Sequence, residues 1–354
     1  MKVYEPGASM HTYEICARLS ENEVDRIIRK WEKKNETIRR KKDSVENYLF
    51  AKRGVSPKLY NNGWLYVKVN PVKLINSQCG AAEIIEPNKK KLEDSVKILE
   101  QALTKLSLPS QFEQYVVSRA DLCVNLVAKK NSEVREYLRL QKKRKPADGL
   151  EERRFFDKRL DATDNLISGH SYYCLASSAN KSGEVIVFYD KNQQAHRKGL
   201  YGADDLPKGL LRIERQLDRA HLYAVQRDKH LSNAKLLCYL ARNSGELILE
   251  KLENCFDKGI FLKKYEIMKC IDKSAWSDKT KMLAKAYVKQ AKEYGEELAA
   301  QRIMRKQSWS KEQYRRFRKR FVKLGIQPVP LRKNFKKNRL QSPEELLAEL
   351  LADS

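Results

Sequence analysis

The chain has 354 residues, 41% of them hydrophobic and 33% charged, with a net charge of +26 and a pI near 9.7. That length favours two domains, each with apolar residues enough for a core. The basic excess exceeds what solubility needs and points to a polyanion, nucleic acid before an anionic membrane; the chain has no long apolar run for a membrane span and no lipidation motif.

Met10 to Ala17 reads as a short strand. Ser20-Glu-Asn-Glu23 is a capping box, which satisfies free amides at a helix start, and Val24, Ile27, Ile28 and Trp31 follow at helical spacing. "GWLYVKVNPVKLI" (63–75) alternates, with Leu65, Val67 and Val69 on one side and Trp64, Tyr66 and Lys68 on the other, and the strand ends at Pro71. Leu92, Val96, Leu99, Leu103 and Leu106 mark a second amphipathic helix, stopped by Pro109. "YVVSRADLCVNLV" (115–127) is a strand, "SEVREYLRLQKKRK" (132–145) a basic helix, and "HSYYCLAS" and "EVIVFYD" are strands joined by the turn-like "SANKSG". A polar loop through Gly199, Gly202 and Pro207 leads to a last strand, "GLLRIERQL" (209–217), and from about Leu231 the pattern is helical. The expected fold class is α+β: a sheet-based domain over 1–230, mostly antiparallel with flanking helices, then a mainly helical domain over 231–354. Seven scattered cysteines, an odd count with no CxxC pair, argue against a disulfide framework and a zinc cage. With no apolar stretch of the signal-peptide kind near residue 1, the expected location is cytoplasmic.

Period-2 alternation assigns faces. It puts Arg119 with Asp121, Arg212 with Glu214, and Tyr189 with Lys191, while Arg215 lies among the apolar residues Leu211, Ile213 and Leu217. Taken singly, Arg-x-Asp and Arg-x-Glu read as surface ion pairs worth about 0–1 kcal/mol, and Tyr189 as a sheet-edge tyrosine. If the three strands are neighbours, six groups form one patch suited to phosphoryl transfer. Carboxylates hold a hard cation such as Mg²⁺, the cation and arginines take the developing charge, and a phenolate is the nucleophile. An ordinary phenol pKa near 10 then requires a metal or cation that favours the ionised form.

The order "SRADLCV", "VIVFYDK", "LLRIERQL" resembles the filamentous-phage gene II/X replication initiators, whose strands carry Ser-Arg-x-Asp, then Tyr-x-Lys, then apolar-Arg-apolar-Glu. The upstream "VKVNPVKLI" looks like that family's Ser/Asn-Pro-x-Lys strand, and staphylococcal rolling-circle plasmid initiators show a similar Tyr-x-Lys and Arg-x-Glu order. The resemblance spans about Trp64 to Leu217. It implies a relaxase-like fold and a rolling-circle replication initiator that cuts one strand of origin DNA. The cut would leave a 5′-phosphotyrosyl link to Tyr189 and a free 3′-hydroxyl. Lys191, Arg212 and Arg119 are the implied catalytic cations, and Asp121 and Glu214 the implied ligands of Mg²⁺ or Mn²⁺. The paired His-hydrophobe-His motif of other nicking enzymes is absent: histidines 11, 170, 196, 221 and 230 never sit two apart. His170 could join the site or be an ordinary polar residue. Tyr172 and Tyr173 are rival nucleophiles, or one is a base-stacking platform or plain core. The same chemistry would serve a conjugative or mobilisation relaxase. A non-catalytic DNA-binding regulator and an RNA-binding protein share the charge but need no paired carboxylates.

Arg302 to Arg339 holds 15 Lys or Arg and one acid, Glu312. "SKEQYRRFRKRFVKLG" reads as a helix with Ser310 as N-cap, Gln313 at the box position and Gly325 past the end. Tyr314, Phe317, Phe321 and Leu324 form its packing stripe. Arg315, Arg316, Arg318, Lys319 and Arg320 are the expected DNA contacts, extended by Lys333, Lys336 and Lys337 on a flexible arm. The terminal "SPEELLAELLADS" is a short acidic helix that could cap the domain, join a homodimer or screen the basic face. Expected partners are origin DNA, single-stranded or as a hairpin or supercoiled duplex, and a host helicase with other replication proteins.

Overall fold

The structure is a computed structural model and describes residues 2–33, 38–152, 172–177 and 185–352. His170 and the "SANKSG" connection lie outside the described residues. The first part of the chain runs β1 (Lys2–Arg18), α1 (Glu21–Glu32), β2 (Ile38–Arg40), β3 (Ser44–Asn47), β4 (Val55–Tyr60), β5 (Trp64–Val69), α2 (Pro71–Ile75), α3 (Lys89–Lys105), β6 (Val116–Val127), α4 (Asn131–Lys143), β7 (Leu150–Glu152), β8 (Tyr172–Ser177), β9 (Val185–Asp190), α5 (Lys191–Arg197) and β10 (Leu210–Asp218). The rest is mainly helical: α6 (Arg219–Asp228), α7 (Asn233–Arg242), α8 (Ser244–Cys255), β11 (Phe261–Leu262), α9 (Lys264–Lys273), α10 (Asp278–Tyr294), α11 (Glu296–Gln307), α12 (Lys311–Lys323), β12 (Arg339–Leu340) and α13 (Pro343–Ala352). The fold is mixed α and β, with one antiparallel ten-stranded sheet in the order β2-β3-β4-β5-β1-β6-β10-β9-β8-β7.

Local chemistry explains the element ends. Ser20 and Ser310 both close capping boxes, with Glu23 and Gln313. Asn70 caps α2 with Pro71 at the first helical position, where a missing N–H costs nothing. Gly209 turns the chain into β10 at φ 84°, where an added Cβ would meet the Ala128 carbonyl at 2.9 Å. Lys191 starts a helix rather than extending β9, because Asp190 accepts the Gln193 N–H as N-cap. β1 is a 17-residue strand, longer than its alternation suggested, and register shifts interrupt its pairing with β6.

One sheet face is apolar and carries the core. Met10, Tyr13, Leu122, Ile186, Phe188 and Ile213 are buried on it, and α7 and α8 cover it with Leu236, Leu240, Ile248 and Leu252. Each buried leucine contributes about 1.5–3 kcal/mol, so the first helices beyond residue 231 share one core with the sheet. Arg215 sits on this face and donates to the Glu250 carboxylate at 3.1 Å. α13 packs on α8 and buries Leu346 and Leu347, the capping role among those open to it. Among the described residues, no helix is long and apolar enough to cross a membrane, and the seven cysteines are free.

Candidate active site

The three strands singled out in the sequence lie side by side as β6, β10 and β9. Register sets Asn125 opposite Arg212, Arg212 opposite Tyr189, and Cys123 opposite Glu214. All of these side chains project from the face opposite the core. The Tyr189 hydroxyl donates to Glu214 Oε1 at 2.5 Å. Arg212 is wholly buried: Nε donates to Asn125 Oδ1 at 2.7 Å, Nη2 to the Ala82 carbonyl at 2.6 Å, and Nη1 stands 3.8 Å from Glu214 Oε1. Asn125 also donates to Ala82 at 2.9 Å, so the segment crossing at residue 82 and the strand pair hold the guanidinium from two sides.

Lys191, at the first position of α5, is 2% exposed and lies 5.9 Å from the Tyr189 ring, with its Nζ 2.9 Å from Gln194 Oε1. Arg119 and Asp121 sit on the same face but bind each other, Nε to Oδ1 at 2.7 Å and Nη2 to Oδ2 at 3.1 Å, and Thr12 donates to Asp121 at 2.6 Å. The patch therefore has a buried centre, Tyr189–Glu214–Arg212 with Lys191, and a half-exposed flank, Arg119–Asp121.

His11 joins this centre and was not expected there. Met10 pairs with Leu122 and Thr12 with Asp121, so His11 is the extra residue of a bulge. Its Nδ1 is 3.8 Å from Glu214 Oε1. The signal was a lone histidine, and alternation alone cannot reveal a bulge.

Burial and the Glu214 charge push the Tyr189 phenol well above its ordinary pKa of 10.0. The metal or cation that the sequence reading required for an ionised phenol is not supplied by Arg212 and Lys191 alone: the proton stays on the oxygen and is donated to Glu214. Burial, with Arg212 and Lys191 nearby, lowers His11 well below its usual 6.5, so the imidazole is neutral. Burial and then Arg212 bring Lys191 down to about 7. Cys123 is raised to about 12 by burial and is inert as a nucleophile. Tyr173 is 3% exposed and packs on Phe188, on the core face, which removes it as a rival nucleophile or stacking platform.

The donor set does not fit the expected Mg²⁺ or Mn²⁺. Asp121 is taken by Arg119 and Thr12, Glu214 by Tyr189, and no three His, Cys, Asp or Glu converge among the described residues.

The expected DNA-contacting cations divide. Arg318 is corrected: it is 9% exposed and paired with Glu296 and Asp257. It follows Tyr314 by one helical turn, on the stripe's edge, and a buried acid holds it there. Arg315 pairs with Asp148 at 2.6 Å and Arg316 with Glu312 at 3.3 Å, both on the surface, and Lys319 and Arg320 are exposed. The segment carrying Lys333, Lys336 and Lys337 is not a flexible arm. Arg139 holds the Pro330 carbonyl, Glu136 accepts from the Arg332 amide, Lys337 pairs with Glu133 at 3.0 Å, and β12 pairs with β11. Lys333 and Lys336 stay exposed on this strap.

Lys191 allows a pH-resolved prediction. Its pKa is about 7 when folded against an ordinary 10.5, so between those values the unfolded chain binds the extra proton and stability rises with pH. Below pH 7 the cost of the buried charge is fully present. Lys191→Met is expected to raise unfolding free energy by a few kcal/mol at pH 6–7, as an order of magnitude, with the gain fading toward pH 10. Denaturant melts across that range measure it; a loss of stability at pH 6 would contradict it.

No protein-family model matches the chain, and no curated protein matches it.

Proposed function

We propose that the chain is a rolling-circle replication initiator, a site-specific single-strand DNA endonuclease and strand transferase with Tyr189 as nucleophile. One observation carries this reading: a tyrosine hydroxyl donates to a carboxylate, Glu214, beside a fixed arginine, Arg212, on adjacent strands. A core tyrosine needs a hydrogen-bond partner; it does not need a carboxylate, a guanidinium and a low-pKa lysine together.

The chemistry follows. Glu214 accepts the phenolic proton as the oxygen bonds to phosphorus, which avoids a free phenolate that burial disfavours. Once the site opens, Arg212 would take charge that develops on the non-bridging oxygens, and Arg119 offers a second cation at the flank. The bond from phosphorus to the 3′-oxygen breaks, and that oxygen takes a proton, for which Lys191 is a source. The DNA is left joined through its 5′-phosphate to Tyr189, with a free 3′-hydroxyl. A divalent cation, if required, demands a rearrangement that frees Asp121 from Arg119. A host helicase would act on the nicked origin.

A second reading, a non-catalytic DNA-binding regulator, is favoured by Tyr189 being only 4% exposed. DNA must open the site to reach it. The test is incubation with supercoiled plasmid bearing the protein's own origin, with Mg²⁺, with Mn²⁺ and with chelator. A nick and a protein–DNA adduct that survives denaturation are expected; binding without cleavage under every condition selects the regulator.

A further inference from the structure

The polar sheet face does not end at the candidate site. It continues from β6 across β1 to β5, β4 and β3, since Arg119 pairs with Glu14, Glu14 with Lys68, and Lys68 with Ser56, while Cys16 pairs with Tyr66, Tyr66 with Lys58, and Lys58 with Glu46. On these outer strands the face is aromatic and basic. Tyr66 lies edge-on to Tyr60 at 5.8 Å and 6.1 Å from Trp64. Three cations flank these rings: Lys58 donates to the Tyr60 hydroxyl at 2.6 Å, and Arg18 and Arg219 stand over Trp64 at 5.5 Å and 5.9 Å. Tyr60, Tyr66, Lys58 and Lys68 line a surface hollow of about 420 Å³. The hollow's acids are engaged, Glu46 by Lys41 and Tyr48, and Glu14 by Ser118 at 3.1 Å.

Half-exposed rings are not needed for the core, which lies on the other face of the same strands in Leu59, Leu65 and Val67. Flat rings interleaved with cations match a strand whose bases are unpaired and whose phosphates run alongside. A duplex hides its base faces, so the rings would have nothing to stack on. We infer that this outer face, Trp64, Tyr66 and Tyr60 with Lys58, Lys68 and Arg18, seats single-stranded DNA continuous with the strand to be cut. The inference rests on the nicking reading for its link to Tyr189. β9 lies four strand spacings from β5, roughly 19 Å, so the shelf holds nucleotides flanking the scissile one.

The experiment measures binding of the full chain to labelled oligothymidine and to a duplex of the same length, without metal, by fluorescence anisotropy. Trp64→Ala and Tyr66→Ala are each expected to weaken oligothymidine binding about 5- to 150-fold and to leave duplex binding within about twofold. Lys58→Ala with Lys68→Ala, at surface positions, is expected to lower the salt slope by about 1.4, and it keeps the test sound where an aromatic variant fails to fold. Unchanged oligothymidine affinity in all of them, or an equal loss for duplex, overturns the inference. Nicking by a wild-type protein whose Trp64→Ala variant binds normally removes the shelf and spares the nuclease. Weakened binding in Trp64→Ala with no nicking by the wild type does the reverse.

Discussion

Tyr189→Phe is expected to abolish the covalent DNA adduct entirely while leaving the chain folded. The change removes one oxygen and keeps the ring, which packs with Cys174 and Val187 on a small cluster of its own. The lost hydrogen bond to the nearly buried Glu214 carboxylate costs about 1.5–3 kcal/mol, less than the usual stability of a folded protein. The proposed nucleophilic oxygen is gone, and an adduct that persisted in Tyr189→Phe would move the nucleophile to another tyrosine, Tyr172, its register partner, first. Glu214→Gln is the informative companion, because it keeps the shape and removes the proton acceptor. It is expected to slow nicking by about 10²- to 10⁴-fold. Nicking at the wild-type rate in Glu214→Gln would show that the carboxylate is structural. Denaturing gels of end-labelled origin oligonucleotide measure both.

Glu344→Ala is expected to destabilise the protein by about 3–5 kcal/mol. Glu344 and Arg144 are buried, with side chains 1% and 0% exposed, and meet at 2.5 Å. Arg144 also donates to the Asp257 carbonyl at 2.7 Å and lies over the Phe256 ring at 4.2 Å. Removing the carboxylate leaves a guanidinium charge inside the interface that joins α4 to α13. Replacing both residues by apolar ones of similar volume is expected to be near neutral. Urea melts separate these outcomes. A cost below about 1 kcal/mol for Glu344→Ala, as for an exposed pair, would contradict the buried-pair account.

Much of the centre was legible in the sequence because strand alternation is local. The sides of Arg212, Glu214, Tyr189 and Asp121 follow from period 2 alone, as does the placing of Arg215 among apolar residues. The capping boxes at Ser20 and Ser310 were equally local. What could not be read is what depends on distant partners. His11 enters through a bulge that exists only because β1 pairs with β6. Arg318 looked like one more cation of a basic run, and only the arrival of Glu296 and Asp257 from other elements makes it internal. Lys333 to Lys337 reads as an arm because its anchors, Glu133 and Glu136, lie about 200 residues earlier on α4. β2 to β4 were missed: they are short, and Pro57 and Gly54 mask the alternation. The depth of Tyr189, 4% exposed, was not legible either: the sequence showed cations around it but not the burial that holds its proton.

Tyr189 itself is expected to become linked to DNA. The most direct measurement is mass spectrometry of protease-digested, nuclease-trimmed adduct from origin DNA. A nucleotide mass is expected on the tyrosine of the peptide that carries Val185 to Lys191. A nucleotide on another residue, Tyr172 included, or an origin cut cleanly with no linked peptide, would contradict it.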